Sequence, residues 1–325
     1  MTRHLRRLGN QFNVSFPLDS RGYLGRECPE ADCKRYFKIK PGTGLKGENL
    51  PCHCPYCGDE GAVDTFHTPK QIKYAESVVF HQVHKAVVRD LKDMARDFNR
   101  RTRGGLFSLK MDVKPSPSQL RQYVEAELET HVQCAACGLE YAVFGIFAFC
   151  PDCGTHNSLQ ILEMNLELVE EMLALSDQTG TDVADQLIEN ALEDCVSALD
   201  GFGREVCRIH AKYSTNPGKA GRARFQNLEG AKRTVFDLFG HDLSVHVSVE
   251  EWQAVNRAFQ KRHLIAHKMG VVDQEYITKK NDPDAVVGRK ISVAKTDVQA
   301  TMSTVRKIAR GFAQGIAAIR NEESR

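Results

Sequence analysis

The stretch Glu250 to Tyr276, EEWQAVNRAFQKRHLIAHKMGVVDQEY, decides the reading of the chain, and within it the run Arg262-His263-Leu264-Ile265-Ala266-His267. Trp252, Val255, Phe259 and Ala266 recur at helical spacing and form one apolar stripe. Ser248 ahead of Glu250 and Glu251 supplies an N-cap with acids in the first turn, and Gly270 stops the helix. At about 100° per residue, Arg262 falls on one shoulder of the stripe and His263 and His267 on the other, with small Ala266 between them.

An arginine and two histidines bordering an apolar seam suit a site formed where two such helices meet. Guanidinium is a permanent cation whose planar fork grips a phosphate, and imidazole titrates nearest neutral pH. Together they can hold a phosphodiester and move a proton.

At these residues the chain resembles the higher eukaryotes and prokaryotes nucleotide-binding (HEPN) domains, whose signature is an arginine, a polar residue and then a histidine near the end of a helix in an all-α bundle. The match is Arg262, His263 and His267, and the Gly270-Val271-Val272-Asp273 turn with Tyr276 is also similar. It covers roughly the C-terminal half. Arg204 and His210, in GREVCRIH, share the family's spacing, but a glutamate follows Arg204 whereas an imidazole follows Arg262. The resemblance implies a homodimeric, metal-independent endoribonuclease of the toxin or anti-phage kind, with an antitoxin or phage-derived trigger as partner. His267 would then draw off or position the 2′-hydroxyl proton of RNA. Arg262 would stabilise charge growing on the phosphate, and His263 would orient it or assist the leaving group.

Composition bounds what else the chain can be. It has 325 residues with a net charge of +2 and 26% charged residues, so nucleic-acid contact must come from local basic patches. Its first residues, MTRHLRRLGNQFNVSF, lack the apolar core of a signal peptide, and the longest apolar run, Ala142 to Phe149, is too short to span a bilayer. A cytoplasmic protein without membrane contact is expected. Gly-rich phosphate loops, Walker motifs and paired metal-binding carboxylates are missing, which disfavours a triphosphatase or a metal-dependent nuclease.

Most of the eleven cysteines sit in Cys-x-x-Cys pairs beside Pro and Gly, which in this setting points to metal. Cys134-Ala-Ala-Cys137-Gly and Cys150-Pro-Asp-Cys153-Gly flank a strand-forming stretch, Tyr141 to Phe149, in the layout of a zinc ribbon. Four sulfurs close the shell and leave no open position, so the site is structural. Cys28, Cys33, Cys54 and Cys57 form the second expected set. The four-residue gap after Cys28 is unusual and leaves Cys52 or His53 as replacement ligands. Two structural Zn2+ per chain are expected. Cys195 and Cys207 have no partners at ligand spacing and read as buried thiols.

The rest of the pattern is mainly helical. Ile72 through Phe98 predict one long amphipathic helix, ending in Arg96, Arg100, Arg101 and Arg103. Alternation at Phe107, Leu109, Met111 and Val113, and at Val124, Ala126, Leu128, Thr130 and Val132, predicts two strands around the Pro115-Ser-Pro-Ser segment. From Asn157 onward five helices are expected, with a loose segment from Lys279 to Lys290 before the last. Basic loops at Lys219, Arg222 and Arg224 and at Arg289 and Lys290 would supply phosphate contacts if they border the seam. The predicted organisation is a zinc-binding module at 1–66, a linking helix at 67–104, a β-hairpin with a zinc ribbon at 105–156, and the HEPN-like bundle at 157–325. A competing reading is a non-catalytic dimeric scaffold, or a nucleotide- or nucleic-acid-binding protein whose zinc ribbons do the recognising.

Overall fold

The computed structural model describes residues 3–47, 50–102, 110–114, 123–128, 130–280, 282 and 285–323. It is mainly helical with a small antiparallel sheet. Two compact units divide the chain, residues 1–155 and 156–325.

The first unit holds the helices α1 (Arg3–Leu8) and α2 (Pro69–Arg101) and the strands β1 (Leu24–Glu27), β2 (Tyr36–Ile39), β3 (Pro51–His53), β4 (Glu60–Ala62), β5 (Thr130–Gln133) and β6 (Glu140–Val143). The long helix begins where Thr68 accepts a hydrogen bond from the Gln71 amide and the Gln71 side chain accepts one from Thr68 N–H, a reciprocal capping box ahead of Pro69. Gln71 also donates to the Gly25 carbonyl at 2.8 Å, fixing the start of α2 to β1. Asp90 takes the amides of His4 and Leu5, so a carboxylate caps the first turn of α1.

The sheet order is β1-β2-β6-β5, all antiparallel, with Lys38 opposite Ala142 and Ile39 opposite Tyr141. Strands from the two cysteine-bearing segments therefore share one sheet. The expected separation of 1–66 from 105–156 does not describe this arrangement. Phe37, Phe66, Tyr141, Val143 and the cysteines Cys28, Cys54, Cys134 and Cys150 are buried in one cluster, so neither segment closes a core alone.

The strand expected from Val124 to Val132 is shorter. Among the described residues only Thr130–Gln133 pairs, and residues 123–128 have no regular structure. Their alternation serves a different anchor: Glu125 accepts from the Gly25 amide at 2.6 Å, from the Tyr123 hydroxyl at 2.6 Å and from the Tyr36 hydroxyl. A carboxylate held by three donors replaces ladder bonds there. Of the other expected strand, residues 110–114 are irregular, and Phe107 and Leu109 lie outside the described residues, as do Arg103, Gly104, Gly105 and the segment from Pro115 to Ser118. The stretch Tyr141 to Phe149 is a strand only to Val143, after which the chain bends through Gly145 at φ 91°.

The second unit is a bundle of five principal helices, α3 (Ser158–Ser176), α4 (Thr181–Ile209), α6 (Leu228–Phe239), α7 (Val249–Lys268) and α9 (Lys295–Glu323), with short α5 (Pro217–Ala220) and α8 (Gln274–Lys280). Leu166, Val169, Leu192, Cys195, Val196, Phe202, Cys207, Phe225, Phe259 and Phe312 are in one core, so Cys195 and Cys207 do pack as buried thiols. Arg306 donates to Glu163 and Glu170, both at 2.8 Å, and ties α9 to α3. Glycine permits close approach at Gly203, where an added Cβ would stand 2.6 Å from the Phe225 ring.

Candidate functional site

The two cysteine sets are built from repeated turns. In three arms the first cysteine's amide donates to the carbonyl five residues on: Cys54 to Asp59 at 2.8 Å, Cys134 to Leu139 at 2.9 Å and Cys150 to Thr155 at 2.9 Å. Gly58, Gly138 and Gly154 follow the second cysteine with φ of 74°, 78° and 66°, a left-handed conformation that glycine adopts without strain. The fourth arm is the same turn enlarged by two residues. Cys28 N–H donates to Arg35 at 3.0 Å, and Lys34 takes the left-handed position at φ 45°. That enlargement accounts for the four-residue gap between Cys28 and Cys33.

Cys28, Cys33, Cys54 and Cys57 bring their sulfurs within 4.8 Å of one another, and so do Cys134, Cys137, Cys150 and Cys153. Paired sulfurs stand 3.6 and 3.7 Å apart in the first set, and 3.7 and 3.5 Å apart in the second. These are far beyond the ~2.04 Å of a disulfide. They match the edge of a tetrahedron with metal–sulfur bonds of about 2.3 Å, which is about 3.8 Å. Each set can therefore hold one metal ion. Burial pushes Cys28 and Cys150 up, Cys54 up to about 12 and Cys137 up to about 11, so a divalent cation is what would make thiolates of them. Cys52 and His53 stay outside the first cluster. Cys52 is a buried thiol pushed up to about 12 by burial, and His53 faces Glu60 at 3.7 Å.

The clusters are stitched together. His53 N–H donates to Pro151 at 2.8 Å and Phe149 N–H to Pro55 at 2.8 Å, linking the two knuckles through their prolines. The Tyr56 hydroxyl donates to the Tyr36 carbonyl at 2.8 Å and accepts from Phe144 N–H at 3.0 Å.

The arginine–histidine run lies in the second unit on α7, whose start is the expected cap: Ser248 accepts from Glu251 N–H, and the Glu251 carboxylate accepts from Ser248 N–H. The helix ends with Met269 at φ 53° and Gly270 at φ 75°, whose amides both return to the Leu264 carbonyl. The next turn is held by Lys268 on Asp273, by Tyr276 N–H on Asp273, and by Val272 and Ile291 amides reaching across to Arg289 and Gly270. Part of the segment expected to be loose, 288–290, is thereby fastened to the end of α7.

The three polar residues do not face one way. Arg262 is buried and donates through Nη2 to Glu193 of α4 at 3.2 Å, while its buried Nε has no hydrogen-bond partner. His263 and His267 are exposed, with ring centroids 4.8 Å apart. Partial desolvation of its ring, and then the neighbouring His267 imidazole, hold His263 below its ordinary range and favour its neutral form. The apolar stripe also differs from expectation. Trp252, Val255 and Phe259 are buried in the chain's own core, with Trp252 Nε1 donating to Glu229 at 2.8 Å, and Ala266 is exposed. A stripe consumed inside the bundle leaves no ground there for a dimer seam.

Of the alternative pair, Arg204 is exposed and faces Asp200 at 3.8 Å, while His210 closes α4 beside the Tyr213 ring. Next to Arg204 lies a buried group that sequence reading passed over. Glu205 accepts from Arg208 Nε at 2.7 Å and Nη2 at 2.6 Å and meets His156 at 3.2 Å. Although burial opposes its charge, these partners draw Glu205 down to about 2. The Glu205 to Arg208 spacing was a readable hint of an ion pair; His156 was not.

No family of known proteins, no curated protein and no solved structure matches the chain. Among the described residues, no helix is long and apolar enough to cross a membrane.

Proposed function

We propose that the chain is a metal-independent endoribonuclease of HEPN type, acting on RNA at Arg262, His263 and His267, with zinc as the structural metal in both cysteine clusters. The observation that carries this reading is the exposed pair of imidazoles on the last turns of α7, 4.8 Å apart, beside an arginine that still has donors to spare. A guanidinium has five N–H donors, and Glu193 accepts from one of them.

In this reading His267 takes the proton of the 2′-hydroxyl as that oxygen bonds to phosphorus and the bond to the 5′-oxygen breaks. The products are a 2′,3′-cyclic phosphate and a 5′-hydroxyl, the latter receiving a proton from the protonated imidazole or from water. Neutral His263 orients the phosphate, and Arg262 offers positive charge to the oxygens that gain negative charge. The cysteine clusters take no part in the chemistry, because four thiolates per metal leave no open position. A toxin or defence role, a cytoplasmic setting, a homodimer and an antitoxin or phage-derived trigger belong to the same proposal.

One observation favours the second reading, a non-catalytic scaffold: Arg262 is buried and paired with Glu193, the state of an arginine that staples α7 to α4. The deciding experiment incubates the protein with mixed RNA in magnesium-free buffer with brief EDTA, with retention of cysteine-held metal checked. Fragments ending in cyclic phosphate support the ribonuclease. Intact RNA under all conditions supports the scaffold.

A further inference from the structure

Between α5 and α6 the chain crosses an open cleft of about 830 Å3, lined by Asn216, Lys219, Arg222, Arg224, Gln226 and Asn227 among others, with no acidic residue in its lining. The segment is pinned from beneath. Ala223 and Phe225 are buried, the Phe225 ring lies against Gly203, and Phe225 N–H donates to Asp200 of α4 at 2.6 Å. Arg222, Arg224 and Gln226 alternate with them and are exposed. Lys219 lies in α5, Arg222 in the turn after it and Arg224 in the irregular stretch beyond, so the cations stand at separate points along the chain.

Two of those cations are uncommitted. Among the described residues Arg222 and Arg224 meet no carboxylate, and Lys219 has only a 3.5 Å contact with exposed Asp237. The one acid in the first turn of α6, Glu229, is turned to Trp252 and Asn256, at 2.8 and 3.0 Å. Lys290, by contrast, is engaged by Glu189 of α4 at 2.7 Å. The cleft thus concentrates free positive charge in a chain whose net charge is only +2.

We propose that this cleft binds the phosphate backbone of a single-stranded polynucleotide. Three separated cations along an open cleft match successive phosphates better than one small anion, which convergent donors would hold. A protein partner would need aromatic or large aliphatic anchors, and the lining offers none. Asn216 and Asn227 cap their own helices, accepting from Lys219 N–H at 3.0 Å and from Gly230 N–H at 3.1 Å, while the exposed amide of Gln226 can meet a base edge that only an unpaired strand exposes. No aromatic ring lines the cleft, so bases are not stacked and the phosphate contacts carry most of the binding. Asp200 and Glu193 lie seven residues apart on one face of α4, about 10 Å along its axis, so the cleft and Arg262 are anchored to the same face two turns apart. That the strand leads on to Arg262 rests on the ribonuclease reading; binding in the cleft does not.

The test measures binding of the full-length protein to a fluorescent 12-nucleotide 2′-O-methyl RNA, which lacks the attacking hydroxyl and cannot be cut, between 50 and 200 mM salt. Three phosphate contacts give a log–log slope of about −2, a loss of roughly 20-fold over that range. The Arg222→Ala/Arg224→Ala protein is expected to bind more weakly, with a slope flatter by about 1.4, and Arg222→Lys/Arg224→Lys to keep the parent slope. An unchanged affinity and slope in the alanine protein, a lysine protein as weak as the alanine one, or equal competition by poly-glutamate of the same charge would overturn the proposal. Tight binding without cleavage of ordinary RNA would sustain the cleft and reject the ribonuclease.

Discussion

Replacing Glu205 by glutamine tests the electrostatics of the bundle with little change in shape. The carboxylate is 8% exposed and is held by both Arg208 nitrogens and by His156, which lower it from 4.5 to about 2. At about 1.36 kcal/mol per tenfold change in acidity, that displacement corresponds to about 3 kcal/mol of stability. Because the folded value lies below the unfolded one, the contribution is fully present above about pH 4.5. It is lost as the pH falls towards about 2, where the carboxyl is protonated in both states. The assay is urea unfolding followed by helix ellipticity for the parent and Glu205→Gln, compared at each pH so that acid loss of cysteine-held metal cancels. The expected difference is about 3 kcal/mol at pH 6 to 7, shrinking steadily below pH 4.5. A difference that is small at pH 7, or constant from pH 7 to pH 3, would refute the assignment of the low value to these partners.

Two further outcomes follow from packing. Because β2 and β6 share a sheet and the knuckles exchange hydrogen bonds, Cys137→Ser is expected to loosen the first cluster too; elemental analysis after mild chelation should find well under one metal per chain, and a full retained equivalent would show the clusters to be independent. An added Cβ at Gly311 would stand 2.1 Å from the His246 ring, which is stacked on His241, so Gly311→Ala is expected to cost about 1 to 3 kcal/mol. An unchanged melting temperature would mean that this corner has room the distances deny.

Local signals carried much of the fold. Ser248 with Glu251 marked the start of α7, the period from Ile72 to Phe98 marked α2, and Cys-x-x-Cys-Gly spacing marked three of the four knuckles. Each is a chemical agreement between residues a few positions apart, which is the range sequence pattern reports. Pairings across a hundred residues were not legible. The alternation at 124–128 looks like a strand, but the donors that hold Glu125 are mostly contributed by Gly25 and Tyr36. The stripe of α7 was read correctly as apolar, yet its period says nothing of what covers it, and the bundle itself does. For the same reason Arg262 could be placed beside the stripe, but not assigned to Glu193, 69 residues away.

The most direct test of the ribonuclease reading compares cleavage rates of the parent, His267→Ala and Arg262→Ala proteins on one RNA, with binding measured in parallel. Loss of the imidazole is expected to lower the rate by roughly two to four powers of ten while RNA affinity stays within a few fold. Loss of the guanidinium is expected to be comparably damaging, with Arg262→Lys restoring part, and Arg204→Ala and His210→Ala retaining most activity. Cleavage by His267→Ala and Arg262→Ala at the parent rate would contradict the site, and a parent that never cuts RNA would leave the arginine as a staple between α4 and α7.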